Sequence, residues 1–482
     1  MKGKSKALVI GLLVCLAFSA WAGGETESGS AAAPRAIRNP DTFTYASYGT
    51  VDSLDPAKAY DNASGGVIQN IYEPLVGFKG SSTEEFVPVL AEDVPTAANG
   101  LISQDGLTYR FKIRKGVTFH SGNPLRPEDV EYSFERSMVV DPSGGPVSLF
   151  AYPLLGVYRT RDADGNIVVD FADIDRAVEV EGDYVVFHLK QAFAPFLGIL
   201  TGYWAGILDK EFVIESGGWD GTEATWQSYN GPAEGAETLY EITSGTGPYM
   251  LDRWEKGVEV VMTRNPDYWG EAPAIAKAIY RVIDEWATRK LTLLQGDVDA
   301  AQVDTLYYAE MDQEEGLTAS RSNTMLAVSG INFNQAVDTT DNPYIGSGRL
   351  DGNGIPGDFF ADPEVRRAFM YCWDQETFEN DVLVGSGISV PTPLVSGLPF
   401  FNPDLEGIPL DLGQAEEIFR TVRGGEIWER GFEFDVLYNS GNEVRETALK
   451  ILAENVMSLN PKFTVNVRAI EWAVILDLQR QR

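Results

Sequence analysis

Residues 109–130, YRFKIRKGVTFHSGNPLRPEDV, carry the clearest structural pattern in the chain. Apolar and polar side chains alternate over 107–114, which predicts a half-buried β-strand that ends at the turn around Gly116. Pro127 and the two acids after it suit the first turn of a helix, and apolar residues recur at helical spacing from Val130 onward. A strand, a turn and an amphipathic helix are therefore expected in direct succession.

Short strands and helices are also predicted along the rest of the chain. Glycines, prolines and acidic residues separate short apolar stretches, as they do at turns and helix caps. A long loop rich in Gly, Asp, Asn and Pro is predicted over 338–360. Mixed strands and helices of this kind indicate an α/β fold. Further strands are predicted over 42–48, 184–190, 258–264, 280–283, 434–438 and 463–467, and helices over 67–72, 287–295 and 443–457.

Composition and charge exclude several broad classes of protein. Of the 482 residues, 44% are hydrophobic and 23% are charged, which is ordinary for a globular chain and argues against disorder and against a multi-span membrane protein. The 38 Lys and Arg residues stand against 71 Asp and Glu residues, which gives a net charge of -33. Because such an acidic surface repels phosphate backbones, we expect no nucleic-acid partner.

The N-terminal residues 1–22 match the pattern of a secretory signal peptide. Three lysines lie close to the N-terminus, an apolar run covers 7–20, and Ala20-Trp21-Ala22 has small residues where a signal peptidase cuts. We therefore predict cleavage after Ala22, export to the periplasm, and a flexible polar tether over 23–41. A retained membrane anchor is the alternative, but the apolar run is short for a bilayer span.

Two cysteines, Cys15 and Cys372, leave little room for thiol chemistry. Cys15 lies within the apolar run, between Val14 and Leu16, which does not suit lipid modification. Cleavage of the signal peptide leaves Cys372 as the only thiol, so no internal disulfide is predicted. Its place in an apolar helical pattern predicts a buried, unreactive side chain.

Sequence patterns that indicate catalysis are lacking. The chain has two histidines, His120 and His188, and no HExxH, Walker A, GxGxxG or GxSxG motif. A metal site built from His and Cys would need more ligands than the chain contains, and no cofactor is expected. Residues 162–166 resemble a calcium loop faintly, but the glycine is misplaced and a hairpin turn is favoured. We therefore predict that the chain is not an enzyme and that His120 makes structural hydrogen bonds.

Six segments, in this order and at this spacing, resemble one protein family. That family is the extracellular solute-binding proteins of ABC importers, family 5, whose members capture peptides and nickel. The resemblance extends from about Phe43 to the end of the sequence, and the predicted signal peptide agrees with it. The segments are YEPLV at 72–76, the 109–130 stretch, GTGPY at 245–249 running to RNPDYWG at 264–270, LQGDVD at 294–299, NFN at 332–334 and DPEVRRAF at 362–369.

The resemblance implies a two-lobed α/β fold of the periplasmic binding protein type, class II, with an extra subdomain in lobe one. Lobe one is expected over 42–284, with the inserted subdomain at about 60–200, and lobe two over 285–482. Family members continue past the position of Arg482 and return to lobe one, so we expect this C-terminal return to be missing from the sequence. The aspartate that pairs with a peptide amine in the family normally lies there, which leaves the charge anchor unassigned.

The resemblance also implies a function. We expect a monomeric protein that captures peptides, or a related small solute, in the cleft between the lobes and delivers them to an ABC transporter permease in the membrane. Hinge closure around the ligand is the expected motion. Two alternatives are open: a secreted hydrolase acting through two carboxylates, which no motif supports, and a non-transporting, chaperone-like surface protein. The sequence does not distinguish a dipeptide, an oligopeptide, a sugar and a nickel complex as the solute.

Three segments are expected to contact the ligand. The first follows the first strand, where the family pairs with peptide backbone, and Gly49 within it permits close approach. The second matches a cleft-facing loop of the family, where two adjacent aromatic rings can form an apolar platform, although burial of both rings in the core is the alternative. The third resembles another loop that lines the cleft. The predicted ligand-binding residues are Tyr48, Gly49, Thr50, Tyr203, Trp204 and Thr392.

Overall fold

The structure is a computed structural model that describes residues 39–478 apart from 83, 163, 234, 321–327, 388–389, 395–400, 473 and 476–477. The predicted signal peptide and nearly all of the predicted tether lie outside the described residues. Within the described part of the chain, none of the helices has both the length and the apolar character that a membrane crossing requires.

Strands and helices alternate along the described residues, as predicted. The strands are β1 (Thr42–Ser47), β2 (Val76–Phe78), β3 (Phe86–Pro88), β4 (Thr108–Lys112), β5 (Val178–Glu181), β6 (Tyr184–His188), β7 (Tyr249–Glu255), β8 (Glu259–Arg264), β9 (Lys277–Val282), β10 (Ala300–Ala301), β11 (Phe432–Asn439) and β12 (Phe463–Ile470). The helices are α1 (Asn62–Ile71), α2 (Pro127–Val140), α3 (Ser148–Leu155), α4 (Phe171–Asp175), α5 (Phe196–Ile199), α6 (Lys210–Glu215), α7 (Trp226–Tyr229), α8 (Trp286–Gln295), α9 (Tyr308–Met311), α10 (Pro363–Tyr371), α11 (Gln375–Thr377), α12 (Leu412–Thr421), α13 (Glu426–Arg430) and α14 (Glu443–Leu459).

A five-stranded sheet with the order β10-β1-β9-β8-β7 organises the first lobe. β1 runs parallel to both of its neighbours, so that Tyr45 lies opposite Tyr280 of β9 and Ala300 of β10. β7, β8 and β9 pair in antiparallel fashion. Because β10 pairs with β1, this sheet includes residues beyond Asp284, where the first lobe was predicted to end. The position of the lobe boundary stays a prediction.

Two smaller sheets and α2 complete the first hydrophobic core. β4, β5 and β6 form an antiparallel sheet, and β2 pairs with β3. The strand and the helix predicted within 109–130 are confirmed as β4 and α2, and Asp129 accepts a hydrogen bond from the backbone N–H of Arg126 at the helix start, at 2.8 Å. Arg136 of α2 forms a buried two-bond ion pair with Asp55, at 2.9 and 2.6 Å. This paired geometry compensates each charge for its loss of water.

The second lobe has a hydrophobic core of its own, built around β11, α14 and β12. The two strands are parallel, and their pairing begins with Phe432 opposite Phe463. These two rings stack with their centres 4.3 Å apart. Helices α10 and α12 contact each other beside this unit. A parallel strand pair joined by a helix is the usual βαβ arrangement, because parallel strands need a long crossover connection.

Two local predictions are confirmed within these lobes. Cys372 is fully buried after α10, and burial raises the pKa of its thiol to about 12, which makes it unreactive. The segment around Asp162 is a hairpin turn in which Arg161 pairs with Ile167. The Asp162 carboxylate accepts backbone hydrogen bonds from Asp164 and Asn166, at 3.0 and 2.8 Å, and so stabilises the turn itself.

Candidate ligand-binding site

The two lobes meet at Tyr48, the residue that follows β1. Its hydroxyl accepts a hydrogen bond from Asn442 Nδ2 of the second lobe, at 3.3 Å. Gly441 permits this approach, because a Cβ at this position would lie only 2.7 Å from Tyr48 Cβ. Its φ of 78° also favours glycine. The carboxyl end of β1 therefore lies between the lobes, and ligands of α/β proteins bind beyond the carboxyl ends of strands.

Arg289 of α8 supports Tyr48 from within the first lobe. Its side chain is 0% exposed, and its guanidinium carbon lies 5.4 Å from the ring centres of Tyr48 and Trp286. The backbone carbonyls of Ile283 and Gln302 accept its hydrogen bonds, at 2.7 and 2.9 Å. The buried cation is thus held by the segments before α8 and after β10, and it orients the Tyr48 ring by cation–π stacking.

Asp304 is the counter-ion of Arg289 at the boundary with the second lobe. The two charged groups are 3.7 Å apart. Burial raises the pKa of Asp304 to about 6; Arg289 opposes this rise and Glu443 adds to it. Tyr307 donates a hydrogen bond to Glu443 in the first turn of α14. Asp304 therefore lies between the buried cation of the first lobe and the negative charge of Glu443 in the second, and both charges influence its protonation.

Gly49 connects the carboxyl end of β1 with the start of α1. Tyr280 donates a hydrogen bond to the Gly49 carbonyl, at 2.8 Å. A Cβ at Gly49 would lie 3.1 Å from both the Tyr280 hydroxyl and Ala63 Cβ, so the position is already tightly packed by the protein's own side chains. Thr50 follows and is half-buried. An alanine at this position would therefore displace Ala63 or the Tyr280 hydroxyl by a few tenths of an ångström.

Tyr203 and Trp204 pack beside the same helix. The ring of Tyr203 lies over Gly65 of α1, where a Cβ would be only 2.4 Å from it. Trp204 donates its indole N–H to the Ile199 carbonyl at 2.8 Å and stands edge-on to Tyr60, with 5.9 Å between ring centres. Both rings contact the first hydrophobic core, and both are half-buried. Neither is a fully buried core residue.

The first two predicted segments, 48–50 and 203–204, thus come together at the N-terminal end of α1. Gly49 of the first segment lies against Ala63, and the Tyr203 ring of the second lies over Gly65. Thr392 lies in a separate turn, where its hydroxyl accepts a hydrogen bond from the Leu394 backbone at 3.1 Å. The residues at 388–389 and 395–400 lie outside the described part of the chain. A role for Thr392 stays a prediction.

The residues that join the lobes were missed by reasoning from sequence. The burial of Arg289 depends on carbonyls from separate segments, which a sequence pattern does not reveal. One signal was present: Gly441 lies in the short turn between β11 and α14, and Asn442 caps α14. The interlobe residues are Arg289, Asp304, Tyr307, Gly441, Asn442 and Glu443.

Several segments behind the family resemblance contact each other inside the first lobe. Glu73 accepts hydrogen bonds from Thr246, Tyr268 and Trp269, at 2.8, 2.8 and 2.7 Å. His120 lies 3.0 Å from the Gly247 carbonyl through Nε2, which confirms its structural role. These motifs therefore hold the first lobe together.

Two lobes, each with its own hydrophobic core, meet where a parallel strand ends, which defines a two-lobed periplasmic binding protein of the α/β class. Residues 85–482 match the family described as bacterial extracellular solute-binding proteins, family 5 Middle. The chain belongs to this family.

The chain is also similar to individual proteins. The probable D,D-dipeptide-binding periplasmic protein DdpA of Escherichia coli is 25% identical over 347 residues, which is 72% of this chain and 55% of the relative. Di/tripeptide-binding protein 2 of Pseudomonas aeruginosa is 26% identical over 411 residues, 81% of this chain and 65% of the relative. The chain thus spans less than two thirds of the length of both relatives.

A solved structure shows the same fold. The periplasmic binding protein DppA of Helicobacter pylori, in complex with the peptide STSA, superposes with a TM-score of 0.67 at 21% identity. The superposition covers 90% of this chain and 74% of that one.

Proposed function

We propose that the chain is the solute-binding component of an ABC importer, and that its solute is a peptide. It captures the peptide between its lobes in the periplasm and delivers it, as a monomer, to the membrane permease. Family membership supports a binding role without chemistry on the solute. The relatives' names, a dipeptide-binding and a di/tripeptide-binding protein, support a short peptide as the solute.

The observation that carries the proposal is the position of Tyr48. It directly follows β1 of the first lobe and also contacts Asn442 of the second lobe. A peptide lying here pairs its backbone with the chain from Tyr48 to Thr50, in the manner of an added strand. A side chain of the peptide rests on the half-buried rings of Tyr203 and Trp204. Thr392 completes the proposed ligand-binding set.

Contacts with both lobes couple peptide binding to hinge closure. A ligand shifts a conformational equilibrium only by its difference in affinity for the two states. The Tyr48–Asn442 and Tyr307–Glu443 hydrogen bonds cross between the lobes, so a ligand that favours them favours the arrangement of the lobes described here.

Binding is tested on the full chain after unfolding and refolding to strip co-purified ligand. Calorimetry with dipeptides, tripeptides and nonapeptides should give one bound peptide per chain, with a dissociation constant on the order of micromolar or tighter. Mass spectrometry should recover the peptide unchanged. Cleavage of the peptide would instead favour the hydrolase alternative. Binding of sugars or a nickel–histidine complex with no response to peptides would contradict a peptide solute.

Export is tested separately. Amino-terminal sequencing of the protein from the periplasm of an expressing bacterium should begin at Gly23. A sequence that begins at Met1, or a lipid attached to Cys15, would contradict the proposed processing.

A further inference from the structure

The edge of the first lobe beside α1 carries an aromatic wall, defined as Tyr60, Tyr203 and Trp204. Trp204 stands edge-on to both tyrosines, with its ring centre 5.9 Å from that of Tyr60 and 4.9 Å from that of Tyr203. Tyr60 is 46% exposed, and the other two rings are half-buried. The wall therefore presents aromatic surface to solvent, and the faces of such rings carry partial negative charge.

A carboxylate lies beside this aromatic wall. Asp61 directly follows Tyr60 and caps α1 by accepting a hydrogen bond from the Ser64 backbone through Oδ1, at 2.8 Å. Its other oxygen, Oδ2, is buried and has no hydrogen-bond partner among the described residues. Asp61 and the Tyr203 ring both contact the first turn of α1, Asp61 through Ser64 and the ring over Gly65. In agreement with this placement, burial and, after it, the charge of Asp61 raise the pKa of Tyr203.

Asp61 has no compensating cation in the described part of the chain. Among the described residues, no Lys, Arg or His forms an ion pair with it. Burial is the main cause that raises the pKa of Asp61, and the charge of Asp52 raises it further. A carboxylate in such surroundings is stabilised by a cation that approaches it, because the cation offsets the lost hydration. The aromatic faces attract the same kind of charge.

We propose that the aromatic wall and Asp61 form a subsite for an organic cation of the ligand. The inference rests on the proposed function for its place in the cleft, since Gly49 contacts Ala63 in the first turn of α1. The cation of a peptide has two sources, the α-amine and the side chain of lysine or arginine. Both present an N–H group to the carboxylate and a positive charge to the rings.

Small cations test the subsite without any peptide. n-Butylammonium chloride is titrated into the full chain carrying isotope-labelled tryptophan, with n-butanol and sodium chloride as neutral and ionic controls. The indole N–H resonance of Trp204, assigned by its loss in Trp204→Phe, is expected to shift with butylammonium alone. Asp61→Asn keeps the helix cap but removes the charge, and it should weaken this response about fivefold or more. Asp411→Asn removes the same charge from the cap of α12 in the second lobe and should leave the response unchanged.

Peptides then separate the two sources of the cation. Asp61→Asn is expected to weaken binding of Ala-Lys-Ala about tenfold, and not that of Ala-norleucine-Ala, if the lysine side chain occupies the subsite. If the α-amine occupies it, both peptides weaken and their N-acetylated forms do not. A butylammonium response that is absent from the wild-type chain, or equal in wild type and Asp61→Asn, overturns the subsite whatever the peptides do. A wild-type chain that responds to butylammonium but binds no peptide supports the subsite and contradicts the peptide function.

Discussion

The ring of Tyr203 lies directly over the Cα of Gly65, so closely that a Cβ on Gly65 would be 2.4 Å from Cε1 and 2.6 Å from Cδ1 of the ring. Glycine inside a helix such as α1 weakens the helix. Here it provides the space in which the aromatic ring rests. The orientation of a proposed ligand-binding side chain therefore depends on the absence of one methyl group from a neighbouring helix.

Substitution of two adjacent glycines separates this contact from helix propensity. Gly65→Ala should displace the Tyr203 ring and lower the free energy of unfolding by about 1–3 kcal/mol. Gly66→Ala is the control, because nothing lies within 4 Å of its Cβ. It should raise the free energy of unfolding by up to about 1 kcal/mol. Urea unfolding measures both changes, and equal effects of the two variants would contradict the contact.

Trp204 is expected to matter for binding more than for folding. Trp204→Ala removes a half-buried ring, so peptide affinity should fall while the melting temperature moves little. Trp219→Ala is the comparison, since Trp219 is 0% exposed and its loss should cost roughly 3–5 kcal/mol of stability. Calorimetric titration and thermal unfolding provide the two measurements. A large drop in melting temperature with unchanged affinity would assign Trp204 to the core.

Gly441 controls how closely the lobes approach. Gly441→Ala adds a Cβ that would meet Tyr48 at 2.7 Å, so the lobes should separate and the radius of gyration in solution should rise. Gly424→Ala is the matched control in the second lobe: its φ is also positive, at 69°, but its Cβ would have open space. Both variants carry the backbone penalty of about 1–2 kcal/mol. Small-angle scattering that reports the same size for both would refute this role of Gly441.

Asp304 is expected to make stability depend on pH. Because its pKa is about 6 in the folded chain and lower when unfolded, the folded state binds a proton more readily. The resulting stabilisation is complete below about pH 4 and is lost as pH rises through about 6, with a size of about 2–3 kcal/mol. Asp304→Asn should remove this dependence.

The measurement is urea unfolding of wild type and Asp304→Asn at about pH 4.5 and about pH 7.5. The wild type should lose stability relative to the variant as the pH rises. Asp411→Asn, at an exposed helix cap, provides a control for general loss of negative charge. A constant difference between wild type and Asp304→Asn would show that Asp304 does not titrate differently in the folded chain.

Strands and helices with a regular spacing of apolar residues could be predicted from the sequence. The alternating strand and the Pro127 helix appeared as β4 and α2, because each buries one face whose spacing is visible in the sequence. Helix α1 begins at Asn62, earlier than the predicted start at residue 67. Its first turn is small and polar, so no apolar stripe marks it. The Asp61 cap and contact with Tyr203 hold this turn in place.

Long-range pairing could not be predicted from sequence. β10 has only two residues, Ala300 and Ala301, and it is a strand because β1 lies beside it. The interlobe contacts also depend on residues far apart in the sequence. The local sequences around Tyr48 and Asn442 give no sign that these two residues contact each other. The aromatic pair at 203–204 was predicted as a candidate from sequence. The open oxygen of the neighbouring Asp61 could not be predicted, because it depends on packing: among the described residues, Oδ2 has no hydrogen-bond partner.

The pairing of β1 also sets the order in which the lobes can fold. Tyr45 pairs with Tyr280, and the Thr44 N–H reaches Asp299, 255 positions later in the chain, at 2.8 Å. Asp435 and Asn466 of the second lobe are only 31 positions apart. Since distant contacts form more slowly than local ones, β11 and β12 should gain amide protection before β1 during refolding, as pulsed hydrogen exchange can measure. Until its partners β9 and β10 are synthesised, both edges of β1 are open, and open strand edges promote aggregation of a nascent chain.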